Sequence, residues 1–160
     1  MLSLVNTWFP PRLFSVSAAP PFYVPACPTD YILILVSRGR VALQLVGNAF
    51  QLFHASYTTP NDPRSEAQVV KDCIEYKITR TAEDGTRSYV RIGGTPTYLF
   101  SDRNCRVFIY RTESDLSDTN LILVPAHEIL FMRRVAVSES TMKVLWWAYY
   151  ENSKYFTTSN

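Results

Sequence analysis

Residues 31–57 read YILILVSRGRVALQLVGNAFQLFHASY, and the punctuation of this stretch decides the fold class. Tyr31 to Val36 is a continuous apolar run of strand length, and Ser37-Arg38-Gly39 turns the chain into Val41 to Val46, where Val41, Leu43 and Leu45 share a face. Gly47-Asn48 is a second turn signal. It leads into Ala49 to Tyr57, with Phe50 and Leu52 on one side and Gln51 and Phe53 on the other.

The same rhythm runs on to Tyr150. Val69 to Thr81 alternates, Ile74, Tyr76 and Ile78 facing one way and Glu75, Lys77 and Thr79 the other, and Glu83-Asp84-Gly85 closes a hairpin onto Thr86 to Ile92. Turn residues then separate Thr95 to Phe100, Cys105 to Thr112, Leu121 to Val124, Leu130 to Val137 and Lys143 to Tyr150. Helix is expected only around 65–72 and 138–142. Turn signals recurring this often predict an all-β fold, an antiparallel, jelly-roll-like β-sandwich of about ten strands over residues 30–152, with a closed barrel compatible with the same periodicity. Thr58 to Gln68 and Glu113 to Asn120 are its polar surface loops.

The chain has 160 residues, 47% hydrophobic, 19% charged and 14% aromatic, which bounds it to one globular domain rich in residues that suit a pleated surface. Residues 1–29 contain Arg12 as their only basic residue and no acid, and Pro10-Pro11 and Pro20-Pro21 interrupt any amphipathic helix. This segment is expected to be an extended arm that buries Trp8, Phe9, Phe14, Phe22 and Tyr23 on the domain, and 153–160 is a polar tail. No apolar span reaches the roughly 18–20 residues of a membrane helix, so no membrane association is expected. A net charge of +2 does not mark a dedicated nucleic-acid binder. Cys27, Cys73 and Cys105 are an odd number at wide spacing, which favours an intracellular, cytoplasmic setting over a disulfide framework.

Residues that could carry chemistry are scattered. His54 and His127 form no close pair with each other or with a cysteine, so no metal site is expected. Cys105 with His127, or Cys73 with His54, could in principle assemble a small cysteine-dependent hydrolase, though strand cysteines more often serve as buried small hydrophobes. The five glycines form no G-x-G-x-x-G or G-x-x-x-x-G-K arrangement, so no nucleotide cofactor and no Rossmann domain are expected. Between Arg80 and Arg111 six arginines stand against Glu83, Asp84 and Asp102, a local +3, with Tyr89, Tyr98, Phe108 and Tyr110 interleaved. That is what a stacking platform for single-stranded nucleic acid would use. Arginine stems covering the rings of a solvated sheet face is the preferred reading.

Trp146-Trp147 and Tyr149-Tyr150 concentrate aromatic surface near the end. In a strand, Trp147 and Tyr149 share one face and Trp146 and Ala148 the other, so one tryptophan either meets a partner or a ligand or is buried beneath the N-terminal arm, two expectations of equal weight. Arg133 and Arg134 are expected on a neighbouring strand. The candidate binding residues are therefore Arg133, Arg134, Trp147 and Tyr149, with Arg91 and Arg106 of the arginine-rich hairpins; no catalytic residue, cofactor or metal is assigned.

The order of segments resembles the farnesoic acid O-methyltransferase-like domain, an all-β jelly-roll module of invertebrate proteins. Tyr31 to Leu45 is similar to its opening strand pair, and Tyr76-Lys77-Ile78 through Arg87 to Arg91 to its tyrosine-isoleucine strand and the strand that follows. Cys105 to Tyr110 is similar to its central aromatic strand, and Leu130 to Trp147 to its final pair. The resemblance implies a binding or interaction module and carries over no catalytic residue. The functional expectation is a non-enzymatic binding, interaction or assembly module acting through a sheet face and loops. Its partner would be another protein or a second copy of the chain, with a small ligand or a nucleic acid as alternatives.

Overall fold

β1 (Thr29–Ser37) carries the apolar run of the opening stretch and forms the centre of the molecule. A computed structural model describes residues 29–57, 63–103 and 105–157. The expected arm up to residue 28, Cys27 within it, part of the loop after Tyr57 and the end of the polar tail lie outside the described residues. On one edge β1 pairs in parallel with β8 (Cys105–Thr112), from Asp30 opposite Cys105 to Ser37 opposite Thr112. On the other edge it pairs antiparallel with β4 (Phe53–Tyr57), Leu33 lying opposite Phe53. A strand inside a parallel pair is covered on both faces, and that is why its sequence is apolar without alternation.

β2 (Arg40–Val46) leaves β1 through a two-residue turn in which Arg38 (φ 52°) and Gly39 (φ 80°) are both left-handed, as a primed hairpin turn requires. β3 (Ala49–Gln51), β7 (Thr97–Asp102) and β9 (Ile122–Pro125) complete a seven-stranded sheet of order β3-β2-β1-β8-β7, with β4 also on β1 and β9 also on β2. β5 (Thr79–Thr81) and β6 (Arg87–Tyr89) form a separate hairpin. Strand accounts for 41% and helix for 26% of the described residues, so the chain is mostly β.

The all-β antiparallel expectation is corrected in two respects. The sheet is mixed, because β1 and β8 run parallel. In addition, two expected strands are helices. Val69 to Thr81 divides into α1 (Glu66–Glu75), a turn and β5. Ser65 caps α1, its Oγ accepting from the Gln68 N–H at 3.2 Å, and the Ser-x-x-Gln spacing is that of a capping box. Val69, Val70 and Ile74 then fall on one buried helical face. Tyr76, expected to share a face with Ile74 and Ile78, is 72% exposed while both isoleucines are buried. The stretch Lys143 to Tyr150 belongs to α3 (Glu139–Glu151), capped by Ser138, whose Oγ accepts from the Thr141 N–H at 3.2 Å. Leu130 to Val137 is not a strand but the end of α2 (Ala126–Leu130) and an irregular return, bridged to β3 between Phe50 and Val137.

These helices cover the sheet. Leu33, Leu35, Phe53 and Phe108 pack with Val70 and Ile74 of α1 and with Ile78 and Val90 beside the β5–β6 hairpin. Ile34, Val36, Val107 and Ile109 pack with Ile129 of α2, with Leu145 and Ala148 of α3, and with Phe156 of the closing 3-10 turn. No helix among the described residues is long and apolar enough to cross a membrane.

Candidate interaction surface

Of the residues picked out by sequence, Arg106 is the most committed. Its Nη2 donates to Glu66 Oε1 at 2.9 Å, its Nη1 donates to Ser101 Oγ at 3.2 Å, and its guanidinium lies 4.5 Å from the centroid of the Tyr98 ring. Glu66 also accepts from the Tyr31 hydroxyl at 3.1 Å. Burial, reinforced by the Glu66 carboxylate, pushes the Tyr31 hydroxyl up to about 12. Arg106 thus ties the start of α1 to β8 and β1. Arg91 stands elsewhere, exposed on the rim of a cleft of about 520 Å³ that it shares with Tyr57, Tyr76 and Tyr89. Within that cleft Arg64 is held by Asp72 at 2.8 Å and stacks 5.4 Å from the Tyr57 centroid.

The remaining arginines do not gather on one platform. Arg80 pairs with Asp118 at 2.8 Å, and Arg87 reaches Thr79 Oγ1 of its own hairpin at 3.5 Å. Arg106 and Arg111, five residues apart on β8, point to opposite faces of the strand.

Cys105 and His54 stand on the two strands that flank β1. Cys105 lies opposite Asp30 on β1, and Asp30 on its other side accepts from Ser56 Oγ and stands 4.0 Å from His54 Nε2. The carboxylate therefore sits between thiol and imidazole. Burial, then the carboxylates of Asp30 and Asp102, push the Cys105 thiol up to about 11, opposite to the shift an attacking thiolate needs. Cys105 is expected to react with a thiolate-selective alkylating reagent at neutral pH far more slowly than the same cysteine in the urea-unfolded chain. Peptide mass spectrometry reads the labelling; equal rates in the two states would contradict this environment. Cys73 lies on α1 and His127 on α2. Among the described residues no group of three or more His, Cys, Asp or Glu side chains could hold a metal ion.

The corner between α2 and α3 is different in character. Phe131, Met132, Trp146 and Tyr150 are 56%, 50%, 46% and 77% exposed, although the chain has polar residues to place there. Phe131 caps α2, its ring edge-on to Trp146 at 5.4 Å and to Tyr149 at 5.9 Å. Arg133 then turns the chain with φ 49°, and the Arg134 N–H bonds the Glu128 carbonyl at 3.2 Å. Both arginines are exposed, Arg134 with its Nε 3.9 Å from Glu128 Oε1. Tyr149 bridges outward Phe131 and inward Phe156, 5.6 Å away, whereas Trp147 turns to the sheet and packs on Phe100 at 5.9 Å.

The corner therefore brings together Arg133, Arg134 and Tyr149, and leaves Trp147, Arg91 and Arg106 apart from it. The residues that sequence reasoning missed are Phe131, Met132, Trp146 and Tyr150. A helical period would have found the last two, since Glu139, Lys143, Trp146 and Tyr150 recur at intervals of four, three and four, opposite the buried Thr141, Leu145 and Ala148. With aromatic side chains contributing about 150–250 Å² each, the four exposed groups present roughly 400–500 Å² of apolar surface. That is within the range of about 300–600 Å² for the largest, often functional, patch of a monomer. No protein-family model matches the chain, and no curated protein matches it.

Proposed function

We propose that the chain is a non-enzymatic interaction or assembly module that recognises a protein partner through the α2–α3 corner. The observation that carries this reading is the division of labour on α3. Its inner face is fully used by Thr141, Leu145 and Ala148, yet Trp146 and Tyr150 remain outside and are joined there by Phe131 and Met132. Tryptophan, tyrosine, phenylalanine, methionine and arginine are the residues enriched at interface centres, and this corner holds all five. Among the described residues helices pack on both sides of β1 and β8, leaving a cleft of about 360 Å³ beside α3 where Ile32, Phe100 and Val107 are reached. The binding role expected of a sheet face thus passes to a helix face. Cys105 carries no disulfide, the state a reducing compartment maintains, so an intracellular setting is part of the proposal.

A photo-reactive amino acid introduced at Trp146, in the cells that naturally make the chain, is expected to yield a discrete cross-linked protein species. The same probe at Thr81, exposed on the β5–β6 hairpin, is expected to yield none. Cross-linking that is absent at Trp146, or equal at the two positions, would reject the assignment.

A further inference from the structure

Building on that reading of the corner, we infer that its partner is a second copy of the chain, docked α3 against α3 in antiparallel orientation about a two-fold axis. The argument starts from the outward stripe of α3. Glu139, Lys143, Trp146 and Tyr150 are all exposed, and their spacing of four, three and four is the d-a-d-a pattern of a coiled-coil seam. A two-fold axis perpendicular to such a helix pairs residues whose numbers have a constant sum. With the axis between Lys143 and Trp146, Lys143 of each copy faces Trp146 of the other, and Glu139 of each faces Tyr150 of the other. Every residue of the stripe then has a partner, and both contacts are chemically matched. An ammonium lies over an indole face, and a carboxylate meets a phenolic O–H donor.

A parallel arrangement lacks this match. A parallel pair would set Lys143 on Lys143 and Glu139 on Glu139, so like charges select the antiparallel form. The flanks fit as well. Phe131 touches both Trp146 and Tyr149, which places the Phe131–Met132 shoulder along one side of the stripe. A two-fold axis lying in the interface brings the two shoulders to the same side, where they extend the apolar strip. Two patches of roughly 400–500 Å² bury about 800–1,000 Å² of apolar surface together, the size range of weak, transient interfaces. Lysine at a seam position fixes register at a cost in stability, so the dimer is weak, at the micromolar end of the range for interfaces of this size.

Sedimentation equilibrium of the full chain across the micromolar range is expected to give a reversible monomer–dimer equilibrium. Trp146→Ala should weaken it by about tenfold or more, about 1.4 kcal/mol, whereas Trp146→Phe, which keeps a ring under Lys143, should retain most of the affinity. A cooperative unfolding transition, with Trp146→Ala losing no more than about 1 kcal/mol, shows that each variant is folded. Register is read by mild oxidation of cysteine variants: Glu139→Cys mixed with Tyr150→Cys should cross-link. Glu139→Cys alone should not, because its two copies lie about 16 Å apart along the axis at 1.5 Å rise per residue. A chain that stays monomeric, a dimer indifferent to Trp146→Ala, or efficient self-linking of Glu139→Cys would each overturn the inference. If the pure chain is monomeric but the probe at Trp146 captures a different protein, the second-copy inference falls and the interaction reading stands. If neither association occurs, both fall.

Discussion

Replacing Leu33 with alanine should destabilise the protein by about 2–5 kcal/mol, whereas Leu45→Ala on the adjoining β2 should change stability by no more than about 0.5 kcal/mol. The two leucines look equivalent in sequence, each in an apolar strand of the opening stretch. They differ in place. Leu33 is 0% exposed and lies where β1 has neighbours on both edges, opposite Phe53 on β4 and Phe108 on β8, beneath the Val70 and Ile74 face of α1. Truncation there removes buried methyl groups and leaves a cavity that a closely packed sheet centre cannot collapse to fill. Leu45 is 59% exposed near the end of β2 and loses little. Urea denaturation of the two variants makes the comparison. Equal losses would show that β1 is not the doubly covered centre of the fold.

The second large effect is on α3. Leu145→Ala should cost about 2–5 kcal/mol, while Trp146→Ala, although it deletes more atoms, should cost about 1 kcal/mol. Leu145 is 0% exposed and packs on the inner face with Thr141 and Ala148, whereas Trp146 is 46% exposed and its ring meets Phe131 at its edge. The functional consequence runs the other way: Leu145→Ala lowers stability with the outer face unchanged, and Trp146→Ala removes the centre of that face with the fold retained. Denaturation midpoints, measured together with association of the same variants, separate the two roles. A Trp146→Ala loss as large as that of Leu145→Ala would make Trp146 a core residue and remove the basis for the interaction surface.

The sequence was most legible where local signals were complete. The run Tyr31 to Val36 is strand-like because both its faces are buried, and Arg38-Gly39 makes a hairpin because both residues adopt left-handed φ. Cys105 to Thr112 is bounded by turn residues and coincides with β8. Its parallel pairing with β1 has no local signature, since the partners lie far apart in sequence. Helix was expected at 65–72 and 138–142, where α1 and α3 begin, but their continuations were hidden by different effects. Ile74 lies in the last turn of α1 and Ile78 precedes β5, so an apparent alternation through Tyr76 joins two elements rather than describing one. Aromatic enrichment in Trp146-Trp147-Ala148-Tyr149-Tyr150 imitates strand propensity, which tertiary packing overrides. The cap signals at Ser65 and Ser138 were present, and weighing them above the aromatic content would have carried both expected helices to their full length.

The candidate surface followed the same logic. Assigning its faces with a period of two put Trp147 outside with Tyr149, whereas the helical period turns Trp147 toward Phe100 and Trp146 outward. Arg133 and Arg134, expected on a strand beside Trp147 and Tyr149, stand exposed on the irregular return after α2 instead. Arg106 was not recognisable as a structural tie, because its partner Glu66 lies 40 residues away.

The outward placement of Trp146 is the claim on which the rest depends, and acrylamide quenching of single-tryptophan variants tests it most directly. In a chain carrying Trp8→Phe and Trp147→Phe, at a concentration low enough to keep it monomeric, Trp146, 46% exposed, should be quenched with roughly half the efficiency of a free indole. In the Trp8→Phe, Trp146→Phe chain, Trp147 against Phe100 should be substantially shielded. The reverse order, with Trp146 shielded and Trp147 open to the quencher, would contradict the account.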